Sequence, residues 1–420
     1  MRYLKKNYFM LFLVICLIIG LLNTVNAQEE KIIKIGLQMP LTGPAALGGN
    51  HNKAAVETAV EIINNAHPEI DVPLAAQEGV LDGYKFELII SDHQGKPDIA
   101  RAEAERLLDQ EGVYALVGAY NSSCSNPASF VAERRQKLFM CGASSSAQLT
   151  ERDLKYFFRM APTDKTESIE FCDVLDWQNE EKGADIKTVG VVYENSEFGK
   201  HAANEGITAA KEHGYEVIAD VAFSPGATNL NSEVQTLKGK NPDALFGAAI
   251  GADYILLLNT MKQMDWLPQV SLNYCSGYQD PFIAEQLGDD ANYFSGSTGY
   301  SPEFKDLMPA VAAVEKIYTE KTGIPFDGDA IQEAIAMFIL AQAIEKAGTL
   351  DTDVVRDTLY ENEWECPLTL AGKVAFQPGG QNIHAKSLIT QLIDGKYEAV
   401  FPPEYATKEM IVPMVPWSER

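Results

Sequence analysis

The sequence predicts an α/β protein of two doubly wound, parallel-sheet lobes, and three observations carry that prediction. Short apolar segments alternate with amphipathic segments of ten or more residues, the pattern of strands joined by crossover helices. The alternation runs to Pro162 and then restarts, so the unit is present twice. About 390 residues follow an N-terminal leader, enough for two domains of ordinary size.

The leader is residues 1–27. Arg2, Lys5 and Lys6 form a cationic start, 9–22 an apolar run, and Val25-Asn26-Ala27 a small-residue cleavage site, the three parts of a secretory signal peptide. Cleavage near Ala27 is expected, which places the mature chain in the periplasm. The apolar run is short for a membrane span and is followed at once by Gln28-Glu29-Glu30. Cys16 offers a lipid anchor as a secondary reading, disfavoured by the bulk of Ile15 before it.

In the first lobe, residues 32–39 read as a buried strand and 53–66 as a helix with Val56, Ala59, Val60, Ile62 and Ile63 on its apolar stripe. A strand at 85–90 leads to a helix at 97–110, opened by Pro97 and stopped at Gly112. A strand at 114–118, a helix at 127–136 and a strand at 138–141 follow. Parallel strands need right-handed crossovers and helices on both faces. After Pro162 the order is helix 167–180, strand 188–193, helix 199–213, strand 216–223, helix 231–238, strand 244–248, helix 253–264 and strand 270–274. Helices at 304–321 and 329–346 come next. Gln332, Glu333, Gln342 and Glu345 interrupt the second at a spacing that suits an amphipathic helix rather than a membrane span. Segments 387–392 and 397–401 flank Asp394-Gly395 as a hairpin, and 401–420 reads as a strap over one lobe. The expected division is 28–161 plus 299–363 for lobe 1 and 162–298 plus 364–420 for lobe 2.

Ligands of open parallel sheets sit beyond the carboxyl ends of the strands. That selects the loops 40–50, 120–126, 142–147, 194–198, 249–253 and 274–280, several rich in the N–H and hydroxyl donors that hold a carboxylate. Removing three basic and no acidic leader residues takes the net charge from −25 to −28, which disfavours a partner held by its phosphates, and no nucleic-acid partner is expected. His51, His67 and His93 have no metal-ligand spacing, and neither metal nor cofactor is implied. Five cysteines remain in the mature chain, Cys124, Cys141, Cys172, Cys275 and Cys366, with Cys275–Cys366 the first pairing to test. Cys124 beside Ser122 and Ser123 suggests a nucleophile, but no histidine is tied to that loop by a motif. A non-enzymatic binding protein is expected.

Several motifs in this order resemble the solute-binding proteins of branched-chain amino-acid ABC importers, the Leu/Ile/Val-binding type of the type I periplasmic binding fold. They are Ile35-Gly36 with Leu41-Thr42-Gly43-Pro44, Gly118 through Ser122-Ser123 to Asn126-Pro127-Ala128-Ser129, and Gly142-Ala143-Ser144-Ser145 before Leu149-Thr150. Phe157-Phe158-Arg159 with Pro162-Thr163-Asp164 resembles the first crossing between lobes, and Phe198-Gly199 the second-lobe ligand loop. The resemblance covers 31–399. It implies three hinge strands, flytrap-like closure on a small solute and delivery to a membrane permease, with a monomer expected.

It also implies that Ser122, with Ser123 beside it, Ser145 with Ser144, and the N–H of Ala143 hold a ligand carboxylate. Capping of helices by the same serines is the structural alternative. Where amino-acid binders place an acid against the ligand ammonium, the similarity aligns Tyr274 or Cys275, and where they place a tyrosine, Ile250. Either Asp253, Asp164 or Glu197 supplies the charge, or the ligand lacks an ammonium group. The family's first-lobe cysteine pair falls on Gly95 and Asn121. Gly48, in place of an aromatic, leaves room for a larger ligand lined by Tyr120, Phe198, Tyr274, Tyr278 and Tyr300. A receptor for an amino acid or related small carboxylate leads; a sensor module of the same fold and a binder of aromatic carboxylates are the alternatives.

Overall fold

The computed structural model describes residues 31–279 and 282–420. The expected leader, its cleavage site and Cys16 lie outside the described residues. None of the described helices is long and apolar enough to cross a membrane.

The first sheet contains β1 (Ile32–Met39), β2 (Lys85–Asp92), β3 (Ala115–Gly118), β4 (Leu138–Cys141) and β5 (Phe157–Arg159), in the order β2-β1-β3-β4-β5. The pairs β1–β3, β3–β4 and β4–β5 are parallel. Side chains alternate as a two-residue period demands: Ala115, Val117, Leu138 and Met140 enter one core, and Leu116, Phe139 and Cys141 the other. Helix α1 (Ala46–Asn64) covers the first face, and α2 (Pro97–Asp109) and α3 (Ser122–Arg134) the second.

The second lobe repeats the plan with α4 (Asp164–Lys182), β6 (Thr188–Glu194), α5 (Glu197–Glu212), β7 (Glu216–Phe223), α6 (Asn231–Lys240), β8 (Ala244–Ala248), α7 (Ala252–Gln263) and β9 (Val270–Asn273). Short helices α8 (Cys275–Tyr278) and α9 (Phe282–Leu287) precede β10 (Ser295–Thr298). The chain then returns to the first core through α10 (Pro309–Thr322), α11 (Gly328–Ala347), α12 (Thr352–Glu361) and the pair β11 (Trp364–Glu365) and β12 (Lys373–Val374). It crosses a third time into β13 (Leu388–Ile393) and β14 (Lys396–Phe401), completing a seven-stranded sheet ordered β14-β13-β10-β9-β8-β6-β7. β13 is antiparallel to both neighbours. Asp394 and Gly395, at φ 51° and 74°, form the expected hairpin turn. The segment after β14 lies over the second lobe, where Met410 and Met414 are buried in its two cores.

The expected α/β architecture of two doubly wound lobes is present, with local departures. α1 begins at Ala46, not 53, so much of the presumed loop 40–50 is helical. A Cβ on Gly49 would stand 2.2 Å from the carbonyl oxygen of Pro40, and its absence lets the helix start against the strand end. α3 begins at Ser122, upstream of the proline that read as its first residue, because Asn121 O accepts from Cys124 N and Ser125 N. The boundary at 363 is corrected: Trp364, Cys366, Leu368, Val374 and Phe376 pack in the first core. That also removes the Cys275–Cys366 pairing, since Cys366 is a free thiol buried in that core. α11 is buried on all sides rather than amphipathic, with Gln332 and Glu333 enclosed in the protein.

Candidate ligand site between the lobes

The first-lobe half of the site is a set of loops sewn together by serines. Ser144 Oγ donates to Tyr120 O at 2.8 Å, which makes Ser125 Oγ the donor in its 2.7 Å bond to Ser144 Oγ; Ser125 Oγ in turn accepts from Ala119 N at 3.0 Å. Ser144 is therefore a staple between the loops after β3 and β4, correcting its expected place on the ligand. Ser122 Oγ accepts from Ser146 N at 3.3 Å and keeps its own proton for donation. Ser123 is half-buried in the first turn of α3, and Ser145 is 3 % exposed at the tip of β4. Ser145 O accepts from Asp164 N at 3.0 Å, so the first crossing is bonded directly to this loop.

Arg159, fully buried at the end of β5, fixes the loop from beneath. Its guanidinium donates to Ser144 O at 3.1 Å, Ser146 O at 2.5 Å, Thr150 Oγ1 at 2.9 Å and Gln381 Oε1 at 2.7 Å. The planar fork suits this because its donors are held at fixed angles. The sequence marked Arg159 as part of a crossing motif but gave no sign of these partners.

The N–H of Ala143, expected on the ligand, donates instead to Glu333 Oε1 of α11 at 3.2 Å. Gly142 N joins it, and burial pushes the Glu333 carboxyl up to about 8. Gly142 is required by this contact: a Cβ there would lie 2.5 Å from Glu333 Cα. An internal carboxylate thus takes the amide that the resemblance assigned to a ligand.

In the second lobe, Ser196 Oγ caps α5 by accepting from Gly199 N at 3.1 Å. Gly199 is obligatory in that turn, since a Cβ would stand 2.0 Å from Glu194 O. Glu194, which sequence reasoning passed over, ends β6 almost wholly buried and accepts from Ile250 N at 3.1 Å. Burial raises its carboxyl to about 7, with Asp253 adding to the shift. An acid closing an apolar strand at the sheet's carboxyl edge was its visible signal. Ile250 is half-buried and packs against both lobes' cores, which puts it between them.

The other expected residues have different duties. Tyr274 lies in the second core, its hydroxyl donating to Ala202 O at 2.9 Å and bonded to Ser168 Oγ at 2.6 Å; Phe198 is buried beside it. Tyr278 bonds Thr390 inside the second lobe, and Tyr300 donates to Glu315 in the first. The ring of Tyr120 fills the space over Gly48, where a Cβ would meet its hydroxyl at 2.6 Å, so the missing side chain opens no extra room. Asp253 accepts from Gly226 N at 2.8 Å, Asp164 from Ala147 N at 3.0 Å and Glu197 from Asn126 Nδ2 at 2.9 Å. All three candidate counter-charges are thus engaged within the chain. Cys124 is buried and its thiol is pushed up to about 12, the reverse of an activated nucleophile. A Cβ on Gly95 would lie 3.9 Å from Asn121 Oδ1, so those two positions do face each other.

The lobes meet across this space. Asn126 bonds Glu197, Ser146 Oγ bonds His201 Nδ1, and Pro44 approaches Gly251, where a Cβ would be 3.4 Å from its carbonyl oxygen. Helix α3 and the loop after β4 are thereby joined to α5, and the loop after β1 to the loop after β8.

A family model described as periplasmic binding protein matches residues 32–396. The chain is 25 % identical over 412 residues to the Leu/Ile/Val-binding protein homolog 7 of Brucella abortus, covering 95 % of this chain and 98 % of that one. Its fold is similar to that of a leucine binding protein from Thermotoga maritima, with a TM-score of 0.75, 21 % identity, and 89 % and 99 % of the two chains covered. A solute binding protein of an ABC transporter from Rhodopseudomonas palustris, solved with 3,4-dihydroxybenzoic acid, gives a TM-score of 0.72 at 18 % identity, covering 93 % and 100 %. A match over most of the length, on two lobes that meet at their strand tips, places this chain in the periplasmic binding protein family.

Proposed function

We propose that the chain is an exported, periplasmic receptor that binds a small carboxylate-bearing solute, an amino acid foremost, between its lobes and delivers it to the permease of an ABC importer. The family is one of solute-binding proteins, and its members include proteins named for branched-chain amino acids and one solved with an aromatic carboxylate. The observation that carries the amino-acid reading is the presence of two chemistries at the carboxyl ends of the two sheets. Ser122 and Ser145 bring hydroxyl donors from the first lobe, and Glu194 brings a buried carboxylate from the second. Burial, with Asp253 adding to it, holds the Glu194 carboxyl up to about 7, and a ligand ammonium group would favour its charged form. An aromatic carboxylate without an ammonium is the second reading, supported by the Rhodopseudomonas palustris complex.

A thermal-shift screen over amino acids and matched carboxylates tests both. A ligand at 100 times its Kd adds about 2.7 kcal/mol of stability. Leucine should raise Tm where 4-methylpentanoate does not, and Glu194→Gln should erase that difference. Ser122→Ala with Ser145→Ala should weaken the best hit at least tenfold; unchanged affinity would remove both serines from the site. Equal response to leucine and 4-methylpentanoate would favour the second reading.

A further inference from the structure

A cavity of about 690 Å³ lies beside the third crossing, and none of the strand-tip loops lines it. Its walls belong to different lobes. Residues 370–383 run on from Leu370, Val374 and Phe376 in the first core, whereas α4 and residues 401–405 belong to the second lobe. Leu370, Ile383, Leu388, Ile389 and Phe401 supply apolar surface. The charged lining is lopsided: Glu170, Asp173 and Glu404 face it, with Lys386 the single cation. Glu170 accepts from Ser387 Oγ at 2.6 Å, and burial pushes its carboxyl up to about 7. Desolvation likewise raises Asp173.

We propose that this cavity is a second binding site, for a small molecule with an apolar body and a single ammonium group, and that its occupant biases the angle between the lobes. The apolar walls take the body and the three carboxylates favour the cation. A guest touching both lobes has different contacts at each hinge angle, which is the requirement for shifting a two-state equilibrium. A short physical connection also exists. Gln381 lines the cavity and accepts from Arg159, whose guanidinium holds the carbonyls of Ser144 and Ser146 in the first-lobe loop. Coupling between the two sites is then reciprocal.

Hexylammonium is the probe, with hexanol and hexanoate as matched controls, followed by calorimetry and by amide NMR shifts. Saturable shifts are expected at Ser387, Ile389 and Phe401, at least tenfold tighter than with hexanol, and none with hexanoate. Glu170→Gln should weaken hexylammonium at least tenfold, and Ala385→Trp, which fills the cavity, should abolish it. Should Glu170→Gln not fold, Asp173→Asn with Glu404→Gln, both exposed, reads the same charge preference. The radius of gyration from X-ray scattering should change along the same saturation curve. Equal binding of the three probes, preference for hexanoate, or binding retained in Ala385→Trp would overturn the site. An unchanged radius at saturation would overturn the coupling. The substituted residues and the reporter amides all line this cavity rather than the strand-tip loops, so failure of this site would leave the ligand screen standing.

Discussion

Two buried side chains decide the shape of the first-lobe loop, and each has a measurable signature. Arg159 satisfies two loop carbonyls, Thr150 and Gln381 from one fully buried guanidinium. Arg159→Leu should cost about 3–5 kcal/mol in urea denaturation, because the acceptors stay buried without a donor. Glu333 is the second. Its carboxyl is raised from 4.5 to about 8 by burial, so the folded protein keeps a proton that the unfolded chain releases. Its contribution to stability is full below about pH 4.5 and is lost as pH rises to about 8. Glu333→Gln preserves the acceptor for Gly142 and Ala143, so denaturation at pH 5 and pH 8 should show a decline smaller than wild type by on the order of 3 kcal/mol. A decline identical in both proteins would mean that Glu333 ionises normally. The motifs single out Ser122 and Ser145 as candidates, but neither Glu194 nor the duty of Glu333 was legible in them. Motifs name residue types, whereas burial and hydrogen-bond partners assign their work.

At the scale of elements, strand positions were the most legible feature. The strands expected at 32–39, 138–141, 216–223 and 244–248 have those bounds in the structure, because each is an apolar run bounded by polar or turn residues. Helix starts were less legible. α1 and α3 begin several residues early through Gly48-Gly49 and Ser122 to Asn126, residues that disfavour helices unless a neighbour compensates. The compensation is tertiary: the Pro40 carbonyl presses on Gly49, and Ser125 Oγ reaches Ala119 N. Helix α5 is held in the same way, its first turn lying against the end of β6. Gly199→Ala would place a methyl 2.0 Å from Glu194 O. It should destabilise the protein by about 1–3 kcal/mol and weaken binding of any ligand that depends on Glu194, as calorimetry on the folded fraction would show.

At the scale of the whole molecule, side chains of the two lobes bond directly to each other. Asn126 and Glu197 are both part-buried and far apart in sequence, and their bond forms only when the lobes meet. Asn126 Oδ1 also accepts from Arg152 within the first lobe, so the bond is tested from its other side: Glu197→Ala should change the denaturation midpoint of unliganded protein little while lowering affinity for the cleft ligand about two- to fivefold, the effect of one hydrogen bond worth about 0.5–1 kcal/mol. A large loss of stability without ligand would show that the bond supports the fold rather than closure. By itself the sequence determined the α/β class, the repeat of the unit after Pro162 and the serine-bearing strand tips, since periodicity and turn chemistry are local properties. Only the tertiary structure decided that 364–376 pack with the first lobe, that Tyr274 and Phe198 are core, and that Ala143 meets Glu333 from 190 residues away. The physical reason is that a pattern of two or 3.6 residues fixes which way a side chain points from its own element, while the group it meets is set by how distant elements pack.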